Sequence, residues 1–192
     1  QVDYQDIYTE GITKITKTDI EYAKALHASI KLLGTSKWED DGKIYSMVAP
    51  FMIDSDHPLG HVNGVFNGIF VNGNMLGDTM FYGKGAGKLP TASAVVADVV
   101  DAVKHQGTNI MTIWEQDKVE LGDRANFACR FFVRVADTTS KETIEKVFGE
   151  VEYVTLADVS GEYAFLTEKL TEGAFEEKSK QVDMIMRIRT AL

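Results

Sequence analysis

The residues able to do chemistry are few and concentrated. The densest stretch is Phe81-Tyr82-Gly83-Lys84-Gly85-Ala86-Gly87-Lys88-Leu89-Pro90-Thr91-Ala92-Ser93, three alternating glycines and two lysines ahead of a run that reads as a helix. Glycine lets backbone amides approach a ligand closely, and a helix start aims free N–H groups and partial positive charge at an anion. Two phosphate motifs come near and neither is completed. A P-loop sets four residues between its first Gly and its Gly-Lys pair, with a hydroxyl residue after the pair; those positions hold Tyr82 and Leu89. A dinucleotide fingerprint built on Gly83 and Gly85 would put its third Gly where Lys88 stands. Taken alone, the loop reads as a tight turn or as a ligand cradle.

The other candidates are isolated. Lys31, in the apolar run Ile30-Lys31-Leu32-Leu33, is either an active-site amine or a sheet-edge lysine whose stem covers apolar surface. His57 and His61 have the i,i+4 spacing of a helical metal pair, but Pro58 and Gly60 argue against a helix and no Cys, Asp or Glu set completes a site. A structural or solvent-facing role is expected for both, and no metal site is assigned. Cys129 alternates with Phe131 and Val133 and is expected in the core, without redox chemistry.

The elements that must position these groups can be read by period and punctuation. Thr18-Asp19-Ile20-Glu21 predicts a capping box opening a helix to about residue 28, followed by a strand at 29–34. Residues 44–53 predict a strand with an irregular end at Pro50. Asn72-Gly73, between apolar runs 62–71 and 75–82, predicts a hairpin turn. After the glycine loop, Pro90 suits a first helical turn, Thr91 or Ser93 a cap, and Val95, Val96, Val99 and Val103 an apolar face.

The 192 residues carry 20 Lys+Arg against 29 Asp+Glu, a formal net charge of −9, which disfavours a nucleic-acid partner needing a basic stripe. One cysteine makes no internal disulfide, consistent with a reducing, cytoplasmic setting, and no apolar run approaches the roughly 20 residues that span a bilayer. Residues 1–122 hold 13 of the 16 glycines and all three prolines, whereas all five arginines lie beyond. That shift, with the polar stretch 115–123, predicts two domains, 1–122 and 123–192. The start at Gln1 suggests a piece of something longer.

Glu10-Gly11-Ile12, Asp19-Ile20, Ile30-Lys31-Leu32-Leu33-Gly34, His57-Pro58-Leu59, Val62-Asn63-Gly64-Val65-Phe66-Asn67 and the glycine loop joined to Leu89-Pro90-Thr91-Ala92-Ser93-Ala94-Val95-Val96-Ala97-Asp98 together resemble bacterial homoserine dehydrogenase, in order and spacing, from about residue 7 to 104. The resemblance implies interconversion of L-aspartate 4-semialdehyde and L-homoserine with NAD(P)H, an oxidoreductase step toward threonine and methionine, in a protein that is at least a dimer. The family's Rossmann fingerprint and its Gly-x-Asp-x-x-x-Lys stretch are absent, so no catalytic residue is assigned and the isolated chain is expected to be inactive and to hold no cofactor firmly. In the family the matching loop approaches the cofactor from the domain opposite the Rossmann fold, which implies cofactor contacts for Gly85, Ala86 and Gly87. Asn67 and His57 match a recurring strand motif, with catalysis and strand-end hydrogen bonding both open.

Residues 126–192 read as strand, helix, strand, strand, helix, strand, with Phe127 to Val135 in period-2 alternation and Ser140 capping a short helix. This βαββαβ order resembles the ACT domain, a ferredoxin-like module that senses amino acids. The fold expected is therefore α+β: a mixed sheet with helices, then an ACT-type module. The Asp-x-Pro-Gly of ACT domains is replaced by Asp137-Thr138-Thr139-Ser140, leaving an amino-acid effector and a purely associative role as alternatives. With first and last strands adjacent, Arg130 and Arg134 would join Arg187 and Arg189 in one patch on the face away from the helices, meeting acidic groups within the sheet or across a dimer.

Overall fold

The computed structural model describes residues 1–108, 111, 113 and 115–191. The chain forms two compact units, Gln1–Ser55 with Asp117–Leu192, and Asp56–Gln116.

The larger unit is α+β. In chain order it contains β1 (Tyr8–Thr9), α1 (Lys17–Ala25), β2 (Ala28–Trp38) and β3 (Ile44–Asp54). The smaller unit interrupts it with β4 (Phe66–Gly73), β5 (Gly77–Lys84) and α2 (Lys88–Lys104). The larger unit then resumes with β6 (Ala128–Ala136), α3 (Lys141–Phe148), β7 (Val151–Val154), β8 (Glu162–Thr167), β9 (Leu170–Thr171), α4 (Glu172–Ser179) and β10 (Met186–Ala191).

One mixed sheet spans the larger unit. The resumed half pairs in the order β10-β6-β8-β7, all antiparallel, so its first and last strands are neighbours, as expected. β10 then pairs in parallel with β3, which carries β2 antiparallel on its other side. The compact units therefore do not follow a 1–122 and 123–192 split, because hydrogen bonding between β10 and β3 continues the C-terminal sheet into the N-terminal segment. The polar stretch read as a linker is also pinned: Val119 N–H donates to the Gln1 carbonyl, and Gly122 N–H to that of Ile44.

Two apolar layers sandwich this sheet. On one face Phe131, Val133, Val135 and Phe165 pack against Ile144, Val147 and Phe148 of α3 and Phe175 of α4. On the other, Phe132, Ala164, Leu166, Ile188 and Met52 pack against Tyr22 and Ala23 of α1. The strict alternation along β6 is what divides its side chains between the two. Cys129 lies in the first layer, as expected, and burial pushes its thiol up to about 12.

Several boundaries depart from the sequence reading, each for a local reason. The helix α1 opens two residues early: Thr16 is its N-cap, and its capping box is completed by Asp19, which accepts from the Thr16 amide at 2.7 Å. The strand β3 runs straight through Pro50. The Val48 carbonyl accepts from Glu10 N–H, so the two-residue period aims the Pro50 nitrogen along the same edge. That edge is paired with β1 at residues 47–48 and with β10 from residue 51, so the missing N–H falls where the neighbour changes.

In the smaller unit, Asn72 and Gly73 are strand residues facing Asp78 and Gly77. The turn lies at residues 74–76, and Gly77 supplies the positive φ of 72°. No side chain caps α2, whose N-cap is Gly87. Its valines are not covered within the unit: Val95, Val96, Val99 and Val103 are each 58–60% exposed.

Candidate functional site

The glycine loop joins β5 to α2. Gly85 N–H donates to the Val65 carbonyl at 3.2 Å, holding the loop against the segment that leads into β4. A Cβ on Gly85 would lie 1.6 Å from Asn67 Nδ2, so the side chain of Asn67 packs on bare backbone that only glycine offers. Gly87 has φ 116°, a conformation L side chains rarely adopt, and there the chain turns into the helix. Thr91 N–H takes the Gly87 carbonyl at 3.1 Å. Among the described residues the amides of Lys88 and Leu89, at the first two helical positions, have no carbonyl to donate to, as helix geometry requires.

Lys88 and Leu89 also line a concavity of about 620 Å³ with Lys84, Ala86, Gly87 and Pro90, and Val65 and Ser93 complete it. Its two ionisable residues are both lysines. In a chain of net charge −9, this stretch pairs two cations with a helix N-terminus and no acid, while the surface of the concavity itself is mostly apolar. Lys84 Nζ sits 5.7 Å above the Phe66 ring, and Phe66 stacks on Tyr82 with centroids 4.8 Å apart, which fixes that wall. Of the three residues Gly85, Ala86 and Gly87, the last two line the concavity with Lys84 and Lys88, and Gly85 lies outside the lining against Asn67. A phosphate or pyrophosphate group of a nicotinamide cofactor fits this donor set of main-chain N–H groups and ammonium groups.

The other candidates fall elsewhere. His57 caps the 3-10 turn Pro58–His61, its Nδ1 accepting from Leu59 N–H at 3.1 Å, and its ring packs 4.9 Å from Phe70. That is a structural arrangement. His61 is exposed. Lys31 lies on β2, which among the described residues pairs with β3 alone, and burial lowers its amine pKa.

The arginines do not form one patch. Opposed residues in an antiparallel pair share a face, and Met186 opposes Arg134 while Arg187 opposes Val133. Arg130 and Arg134 therefore face α1, whereas Arg187 and Arg189 face α3 and α4. Each pair still meets acids within the chain. Arg134 bonds Asp19 at 2.7 Å and Glu162 at 2.6 Å. Arg189, fully buried, bonds Glu172 and reaches Glu10 at 2.7 Å. Sequence reading missed Asp19, Glu10 and Glu172 as their partners; Glu10 lies 179 residues from Arg189, and only the β10–β3 pairing brings them together.

The comparisons with known proteins give this α+β chain a lineage. Residues 1–100 match the model of the family described as homoserine dehydrogenase. The chain belongs to the homoserine dehydrogenase family. It is 48% identical over 101 residues to the homoserine dehydrogenase of Pseudomonas aeruginosa, covering 53% of this chain and 23% of that protein. To the Helicobacter pylori homoserine dehydrogenase it is 35% identical over 143 residues, covering 74% and 34%. Among solved structures, S. aureus homoserine dehydrogenase at pH 7.0 superposes with a TM-score of 0.71 at 30% identity, covering 98% of this chain and 48% of that one. The Thiobacillus denitrificans homoserine dehydrogenase gives a TM-score of 0.76 at 25% identity, with the same coverage. The chain thus spans a quarter to a third of those curated relatives and about half of those solved chains.

Proposed function

We propose that this chain supplies the cofactor-facing loop and the C-terminal half of an NAD(P)-dependent homoserine dehydrogenase, which interconverts L-aspartate 4-semialdehyde and L-homoserine. The observation that carries this is the loop, where Ala86, Gly87 and the residues Lys88 and Leu89, whose amides no carbonyl takes up, line one concavity with Lys84, next to Gly85 under Asn67. The nicotinamide cofactor, when bound, supplies the hydride. The residues here bind and orient: main-chain N–H groups and the two ammonium groups hold a phosphate, and Asn67 keeps the loop backbone in place from the side. No proton-transfer residue of the reaction is assigned to this chain, and we expect it to lack dehydrogenase activity alone. Its acidic composition and the absence, among the described residues, of a helix long and apolar enough to cross a membrane accord with a cytoplasmic enzyme acting on small molecules.

The test is titration of the ¹⁵N-labelled chain with NADP⁺. Weak, salt-sensitive shifts confined to the amides of residues 85–89 are expected, and these should fade in the Lys84→Ala/Lys88→Ala variant. Shifts elsewhere, or none at saturating ligand, would remove the assignment.

A second reading concerns residues 123–192. Their strand order β10-β6-β8-β7, with α3 and α4 on one face, is what a ferredoxin-like ACT-type module needs. This supports a regulatory or associative module, working in a homodimer, with an amino acid as its effector. Calorimetry with threonine and related amino acids tests the sensing role, and sedimentation across concentrations tests association.

A further inference from the structure

Where β1 gives way to β10 along the edge of β3, the sheet has a gap, and the gap opens into a cavity of about 470 Å³. Pro50 lies at that gap. The cavity belongs wholly to the larger unit and owes nothing to the glycine loop. Its wall is of two kinds. Ile15, Pro50, Met184 and Met186 provide apolar surface, and Lys14 and Arg187 provide cations.

Arg187 is the under-coordinated member of its ion cluster. Its Nη2 lies 3.2 Å from Glu10 Oε2, an oxygen that Arg189 Nη1 already holds at 2.7 Å and that also accepts from the Tyr8 hydroxyl at 3.1 Å. Its Nη1 is buried and has no hydrogen-bond partner among the described residues. A guanidinium carries five donors, and a buried one without an acceptor is costly. Arg134, also at the wall, differs: Asp19 and Glu162 already occupy it on both sides. The cavity's one acid, Glu10, receives Arg189, Arg187 and Tyr8 all on Oε2, and of the cations at the wall Lys14 and Arg187 are the ones able to receive a ligand.

We propose that this cavity binds a small organic carboxylate. The carboxylate accepts from Arg187 and Lys14, and a short apolar chain lies against Ile15, Pro50, Met184 and Met186. Nη1 is closed to solvent, so entry requires the guanidinium to turn about its stem. That turn gives up only the 3.2 Å contact to an oxygen which Arg189 keeps. A volume of this size suits a small metabolite, and two cations beside an apolar wall suit a carboxylate better than a polyphosphate, which wants a cradle of main-chain amides.

The experiment is a titration of the full chain, ¹³C-labelled at its methionine methyl groups, with sodium 4-methylpentanoate and with 4-methylpentanamide. The carboxylate is expected to shift Met184 and Met186 saturably, and the amide to bind about tenfold more weakly or worse, the scale of one lost charge-assisted bond. Arg187→Gln and Lys14→Met should each weaken the carboxylate by a similar factor. Lys14 is exposed, so its variant reports even if the Arg187 substitution impairs folding. Gly11→Trp should block the cavity without crowding the backbone, since a Cβ there meets nothing within 4 Å. Equal binding of acid and amide, no shift at Met184 and Met186, or affinity unchanged in both cation variants would each overturn the proposal.

Discussion

Substituting Arg189 with Met breaks the most deeply buried charge cluster in the molecule. Arg189 and Glu172 are both fully buried, and Arg189 joins Glu172 on α4 to Glu10 just beyond β1. Burying each ion costs several kcal/mol, and the pair offsets that cost only while both partners remain. Removing the guanidinium leaves the Glu172 carboxylate desolvated beside Arg124, whose Nη1 lies 2.8 Å away and which is itself partly exposed. The expected loss is about 3–5 kcal/mol, trimmed toward the lower end by Arg124. The assay is urea unfolding followed by far-UV circular dichroism, completed as a double-mutant cycle. In Arg189→Met/Glu172→Leu neither charge is stranded, so stability should return to within about 1 kcal/mol of the parent chain. A single-variant loss below about 1 kcal/mol, or a double variant that costs the sum of the two singles, would refute the claim that this is a coupled buried pair.

Four further outcomes follow from the same geometry. Burial alone would raise the Glu10 carboxyl, but the bonds and charges of Arg189 and Arg187 outweigh it and hold it below its ordinary 4.5. A depressed carboxyl stabilises the fold above that value and loses its contribution as pH falls through the folded pKa, so acid unfolding of Glu10→Gln, followed by circular dichroism, should show a shallower slope below 4.5. Gly122→Ala sets a Cβ 2.4 Å from the buried Tyr45 ring and should cost about 1–3 kcal/mol in urea unfolding. Gly87→Ala strains a φ of 116° and should cost about 1–3 kcal/mol locally, read as faster amide exchange across the start of α2. Cys129, with its thiol pushed up to about 12 by burial, should resist a disulfide reagent at pH 8 in the folded chain and react promptly in urea.

Local signals in the sequence carried most of the elements. Alternation along Phe127 to Val135 fixed β6 and its two faces, and Ser140 does cap α3, its hydroxyl accepting from Thr143 N–H at 3.2 Å. Long-range pairing was not legible. Nothing local in Met186 to Ala191 states that this strand will pair in parallel with β3, yet that pairing joins the two ends of the chain in one sheet and brings Glu10 to Arg189. The same limit explains the arginines: which face each occupies depends on the register of β10 against β6, and one residue of register moves every side chain across the sheet. Pro50 misled because proline disfavours an inner strand unless its missing N–H meets no partner, and the changeover from β1 to β10 is invisible in the residues around it. At the candidate site, the glycines and lysines were visible as letters. The packing of Asn67 onto Gly85 was not, since it depends on β4 pairing with β5 in the observed register.

The proposed cofactor-facing role of the glycine loop can be put to the test by replacing the matching 101 residues of the Pseudomonas aeruginosa enzyme, 48% identical, with those of this chain and measuring NADPH-dependent reduction of L-aspartate 4-semialdehyde. An active chimera is expected, with a KM for NADPH that rises when Lys84 and Lys88 of the transplanted segment are changed to Ala. A folded chimera without activity, or one whose NADPH dependence ignores those lysines, would contradict it.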